Sequence, residues 1–155
     1  MRSLKSGRIL LTLLAIATAA GTAVADLSAL HAQNPNWPPH ARLHAVWNVM
    51  QVTLTQVLAI ALLWTGGTPT RLRARVAALL LLVYSGSFFA AAWLAPAFGA
   101  SLSPDVAPDA MPPRPFGLDG NLVSVMLATP LVLLGWWLCE RGSARGLENR
   151  PEQQS

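Results

Sequence analysis

Charged residues are scarce in this chain: they make up 12% of its 155 residues, whereas 53% are hydrophobic. A soluble domain usually carries about 25% charged residues. The scarcity is concentrated in four stretches without any charge, at positions 9–25, 45–70, 76–104 and 120–139. A helix that crosses the hydrocarbon core of a bilayer needs about 17 to 25 mostly apolar residues. We therefore predict an all-α fold, a four-helix transmembrane bundle, with helices over about 8–27, 38–65, 72–95 and 120–139.

Cysteine is almost absent, because Cys139 is the one cysteine in the sequence. An internal disulfide is therefore excluded, and a packing role near the end of the fourth helix is predicted for this thiol. The sequence also contains no phosphate-binding loop, dinucleotide fingerprint or nucleophile elbow.

The eleven Lys and Arg residues divide unequally between the two sides of such a bundle. Nine of them fall at the N-terminus, between the second and third helices, and in the C-terminal segment; the other side receives Arg42 and Arg114. Short loops rich in Lys and Arg stay in the cytoplasm, so both termini should be cytoplasmic in a multi-pass protein of the plasma (inner) membrane. Because these residues flank apolar runs and form no patch, the expected partner is the lipid bilayer and not nucleic acid.

The chain is interpreted as a membrane domain over 1–140, with a proline-rich external loop at 96–119, and a polar cytoplasmic tail over 141–155. An alternative stays open for the start, since a basic end, an apolar stretch and "AVA" at 23–25 are typical of a cleaved signal peptide. Retention is favoured because cleavage would remove a packing partner from the other helices. Gly86, between Ser85 and Ser87, predicts a close approach of a neighbouring helix.

Polar residues recur along one side of the second helix, which should begin at Pro38 or Pro39 after a cap at Asn36. At about 100° per residue these residues share one stripe that should face the bundle interior, because polar groups that face lipid lack partners. Gln56 and Thr53 point elsewhere on the same wheel. The stripe consists of His40, His44, Asn48, Gln51 and Thr55.

The end of the first helix should meet the start of this stripe, because Asp26 and His31 lie just before it on the same side of the membrane, and Asn121 could reach the same level. Three interpretations of the cluster stay open. It could bind a small or lipid-like ligand, with histidine available for acid–base chemistry. It could only fix helix packing. It could bind a metal through His31, His40, His44 and Asp26, since two histidines four residues apart share a helix face. The candidate ligand-binding residues are Asp26, His31, His40, His44, Asn48 and Gln51.

The segment "ADLSALHAQNPNWPPHARLHAVWN" resembles the signature of a family of small multi-pass membrane proteins of fungi and bacteria that is labelled only as a domain of unknown function. The resemblance rests on an Asp, a His five residues later, and then Asn-Pro-x-Trp-Pro-Pro-His-Ala-Arg/Lys-x-His. It covers about twenty residues, from Asp26 to His44, and the four-helix plan covers the rest loosely. It implies that the first helix belongs to the mature protein, and it implies no activity.

Overall fold

Four α-helices make up almost all of the structure, a computed structural model that describes residues 2–67, 70–102, 111–112 and 114–148. All four are long and apolar enough to cross a membrane, and the described residues include no strand. The predicted all-α, four-helix fold is therefore confirmed. The helices are α1 (Arg2–Asp26), α2 (Pro39–Trp64), α3 (Arg71–Leu94) and α4 (Gly120–Glu148).

The helices nearest the termini are longer than the apolar runs predicted. α1 begins at Arg2 instead of near residue 8, and α4 continues to Glu148 instead of ending near residue 139. The two extensions approach closely at Leu4 and Gly142, and the Ser3 hydroxyl donates a hydrogen bond of 2.7 Å to the carbonyl of Leu138. Part of the segment expected as a polar tail is thus helical. The rest of that segment, residues 149–155, lies outside the described part of the chain.

The connections contain short 3-10 helices and proline-directed turns. The segment expected as a proline-rich loop includes the 3-10 helices Ala95–Phe98 and Pro115–Gly117, while 103–110 and 113 lie outside the described residues. α2 begins at Pro39, as the double proline predicted, but Asn36 does not cap it. Instead, the Asn34 side chain accepts a hydrogen bond from the backbone N–H of Asn36, so the asparagines shape the turn before the helix.

The bundle is square: α1 packs beside α2 and α4, and α3 packs beside the same two helices. Successive helices are antiparallel, so the start of α1 and the end of α4 lie at one end of the bundle. We refer to two ends of the bundle throughout. The terminal end holds Leu4, Trp64, Arg71 and Glu140, and the distal end holds Asp26, Pro39, Leu94 and Gly120.

The tightest packing joins α1 to α4 near the terminal end. A Cβ added to Gly7 would lie 2.7 Å from both the Gly135 carbonyl oxygen and the Cys139 Sγ, and one added to Gly142 would lie 2.5 Å from the Leu4 Cβ. Small residues let helix backbones approach closely in membranes. The close approach predicted at Gly86 is absent, because a Cβ there would meet nothing within 4 Å. Cys139 is fully buried in this interface, consistent with its predicted packing role.

The terminal half of the bundle also contains most of the buried core. Leu11, Ala59, Leu63 and Ala77 are all fully buried there. Polar contacts close this end: Arg75 pairs with Glu140 at 2.6 Å, and the indole N–H of Trp64 donates to the Thr12 hydroxyl at 2.7 Å. Among the residues described, the distal half buries fewer apolar side chains, namely Val49, Val52 and Val125, and that difference positions the site.

Candidate functional site

A cavity of about 570 Å³ lies between the helices in the distal half of the bundle. All four helices contribute to its lining. Its size falls within the range of about 300 to 1,000 Å³ that is usual for small-molecule sites. The lining includes several small residues, among them Gly21, Ser87, Ala91 and Ser124, which leave space between the helices.

Two contacts between α1 and α2 fix the depth of the cavity. At the distal rim the Asn48 amide donates a hydrogen bond of 2.8 Å to the Asp26 carboxylate. At the other end, Trp64 bonds Thr12. Gln56 is midway along α2 between these contacts, and at 1.5 Å per residue it lies about 12 Å below Asn48. The cavity therefore extends from a polar rim to a closed end deep in the bundle.

The lining mixes apolar walls with hydroxyl groups. The Thr22 hydroxyl donates a hydrogen bond of 3.1 Å to the Tyr84 hydroxyl, which joins α1 to α3 across the bundle. Asp26 is the one residue of the lining with a formal charge, and no Lys, Arg or His contributes to it among the described residues. Such a surface suits an apolar molecule that carries few polar groups. The hydroxyl-bearing residues are Thr18, Thr22, Thr55, Tyr84, Ser87 and Ser124.

The structure brings together three of the six candidate residues from the sequence. Asp26 and Asn48 are bonded at the rim, and Gln51 lines the cavity next to them. Thr55, one further member of the stripe, and Asn121 of α4 line it as well. The carboxylate and the amides therefore form one site at the distal rim.

The three histidines lie apart from this cavity. His31 Nδ1 is 3.0 Å from the Ala25 carbonyl oxygen, and its ring meets the Trp37 ring edge-on. His40 and His44 contact each other, with their Nε2 atoms 3.0 Å apart. His40 and His44 lie farther toward the distal end than Asn48, because α2 extends for more than two turns beyond the level of Asp26. The stripe is continuous along the helix, but only its lower part faces the cavity.

The histidines are held by aromatic neighbours and not by a shared ion site. His44 stacks on Trp47 with ring centroids 5.8 Å apart and an interplanar angle of 20°. Trp47 is 61% exposed. Tryptophan favours the membrane interface, but Trp47 lies well inside α2, and the contact with His44 gives it a partner there. Within the described residues, no group of three or more His, Cys, Asp or Glu side chains comes close enough to hold a metal ion. The four-residue metal set considered from the sequence does not assemble.

Gln56 belongs to the cavity although the helical wheel pointed it elsewhere. It is only 1% exposed, and it lies at the closed end of the cavity. The helical-wheel prediction was wrong for Gln56 because residues outside the predicted polar stripe of α2 also line a cavity enclosed by four helices. One signal was present: Gln56 is an amide within "LTQVLAIALLW", and an unpaired polar group in an apolar span is costly.

Comparisons of the chain with protein-family models, with curated proteins and with solved structures gave no match. The cavity and the charge distribution of the sequence are therefore the features that bear on function.

Proposed function

We propose that this multi-pass protein lies in the plasma membrane with both termini in the cytoplasm, and that its distal cavity binds a small, lipid-like molecule from the outer side. The observation that carries the proposal is the 570 Å³ cavity itself. If the polar cluster only fixed helix packing, side chains would fill this space. The orientation follows from the nine Lys and Arg residues that the sequence assigns to one side of the bundle, because cytoplasmic loops carry the excess of Lys and Arg.

The closed terminal half favours binding over passage through the protein. Leu11, Ala59, Leu81 and Val132 are buried below the cavity in one continuous apolar core. A channel or carrier pathway in this conformation would need polar or open space at that level. We therefore propose that the cavity holds a molecule and returns it to the side from which it entered.

The segment that carries the family resemblance borders the entrance. Residues 27–38 connect Asp26 at the rim to the start of α2, and their turn is fixed by Asn34 and by the His31–Trp37 contact. We include membership of the resembled family in the proposal. In that case the shared signature shapes the entrance to the cavity, and His40 and His44 shape the surface above it.

Filling the cavity should abolish binding without unfolding the protein. Gly21 lines the cavity, and a Cβ there meets nothing within 4 Å; Gly86 has the same free space but lies outside the cavity. In membranes treated with a small uncharged alkyl diazirine and photolysed, peptide mass spectrometry should find label on cavity residues of the wild type and of Gly86→Phe. The Gly21→Phe variant should lose that label, because its ring occupies the space.

The same experiment can overturn the proposal. Equal labelling of outward-facing residues in all three proteins, without labelling of the cavity, would mean that the cavity accepts no lipid-like molecule. Matched yields of the two variants in membranes exclude misfolding as the cause of a difference.

A further inference from the structure

The closed end of the cavity holds a polar side chain whose hydrogen-bonding groups have no partner. Gln56 is 1% exposed, and among the described residues neither its Nε2 nor its Oε1 has a hydrogen-bond partner. Buried polar groups in folded proteins are paired in the large majority of cases, and an unpaired one costs about 1 to 3 kcal/mol. An amide of this kind, placed against a cavity, is what a site for a polar ligand group would provide.

The polar groups at the rim differ from Gln56 in this respect. The Asp26 carboxylate accepts a hydrogen bond from Asn48, and the side chains of Asn48 and Gln51 are not buried, so neither of these two amides is enclosed as Gln56 is. The hydroxyl of Thr55 bonds the carbonyl of Gln51 within its own helix. The unmet hydrogen-bonding capacity lies at the closed end and not at the entrance.

We propose that the ligand enters the cavity head first and that its polar head pairs with Gln56. This inference rests on the proposed binding function and adds the chemistry of the ligand. Because an amide offers one acceptor oxygen and two donor hydrogens, the head must both donate and accept a hydrogen bond. The head is uncharged, because the lining has no cation to balance an anion and its one carboxylate lies about 12 Å away at the rim. The ligand is therefore a neutral amphiphile with a primary amide or hydroxyl head and an apolar body against Leu80, Val83 and Phe88.

Four compounds with the same ten-carbon chain separate this proposal from its alternatives: decanamide, N,N-dimethyldecanamide, decylammonium and decanoate. Each competes with the alkyl diazirine for labelling of the full-length protein in lipid nanodiscs. Decanamide should compete at a concentration about tenfold lower than those needed by the other three compounds. Its dimethyl analogue cannot donate a hydrogen bond, and the other two carry a charge. Gln56→Leu should remove that advantage and keep the diazirine label, while Thr53→Val, on the same helix outside the cavity, should leave it unchanged.

Two results would overturn the head-first inference while the binding function stands. One is an unchanged order of the four compounds in Gln56→Leu. The other is that decylammonium competes most strongly and that Asp26→Asn removes this competition, which would place the head at the rim. Absence of diazirine label in the wild-type cavity would instead defeat the binding function itself, so the two failures are distinguishable.

Discussion

Replacing Gly142 with alanine should destabilise the protein by about 2 kcal/mol or more, although the change adds a single methyl group. The added Cβ would lie 2.5 Å from the backbone nitrogen and Cβ of Leu4, a separation that van der Waals contact forbids. These are backbone or near-backbone atoms, so no rotamer change relieves the clash and α1 must move away from α4. Overpacking of this kind costs about 1 to 3 kcal/mol, and sometimes more. Thermal unfolding of the purified protein in detergent measures the effect.

Gly86→Ala is the matched control for this substitution. It makes the same change in the middle of α3, where the new Cβ meets nothing within 4 Å. Alanine is favoured over glycine inside a helix by up to about 1 kcal/mol, so this variant should be as stable as the wild type or slightly more stable. Equal effects of the two alanines would contradict the close packing of α1 on α4, and with it the role of α1 as a permanent member of the bundle.

Gln56→Leu should stabilise the ligand-free protein by about 1 to 3 kcal/mol. Leucine has a similar size and removes a buried amide that lacks hydrogen-bond partners, so the free-energy cost of burying that amide disappears. Most substitutions of buried residues destabilise, which makes the sign of the effect informative. A gain in stability at the cost of binding is the usual pattern at functional sites. Unfolding curves of the two proteins without added ligand measure the difference.

Gln51→Leu is the control for the Gln56 variant, because it replaces the same residue type on the same helix. Gln51 is exposed, so its replacement removes no buried amide and should change stability by less than about 0.5 kcal/mol. A clear loss of stability in Gln56→Leu would indicate that the amide holds the helices together. That result would favour the packing interpretation of the polar cluster over the ligand-binding one.

The sequence predicts the helices well because the bilayer imposes a length and a composition on each span. The four charge-free stretches located every helix, and Pro38-Pro39 located the start of α2. The helix ends at the termini were set too short, since packing between Leu4 and Gly142 extends both helices beyond the apolar runs. A periodic pattern in one helix cannot report a contact that depends on the sequence of another.

The site was predicted in part for the same reason. Asp26, Asn48 and Gln51 could be placed together because a short connection and one helix face determine their positions. His40 and His44 were grouped with them, yet they lie above the rim, because the wheel gives direction around α2 but not the level at which α1 ends. Gln56 and Tyr84 were missed because their places in the cavity depend on how all four helices pack together. The spacing of residues along the sequence does not specify that packing.

The central claim is that a water-accessible cavity opens from the distal end between the helices, and thiol labelling in membranes tests it most directly. In a Cys139→Ala background, Thr55→Cys and Leu54→Cys place thiols at adjacent positions of α2: Thr55 lines the cavity, whereas Leu54 lies outside it and is 68% exposed on the outer surface of the bundle. A small charged methanethiosulfonate added from the outer side should modify the thiol at position 55 and leave that at 54 unmodified in lipid. Equal protection of both thiols, or modification at position 55 only from the cytoplasmic side, would contradict the account.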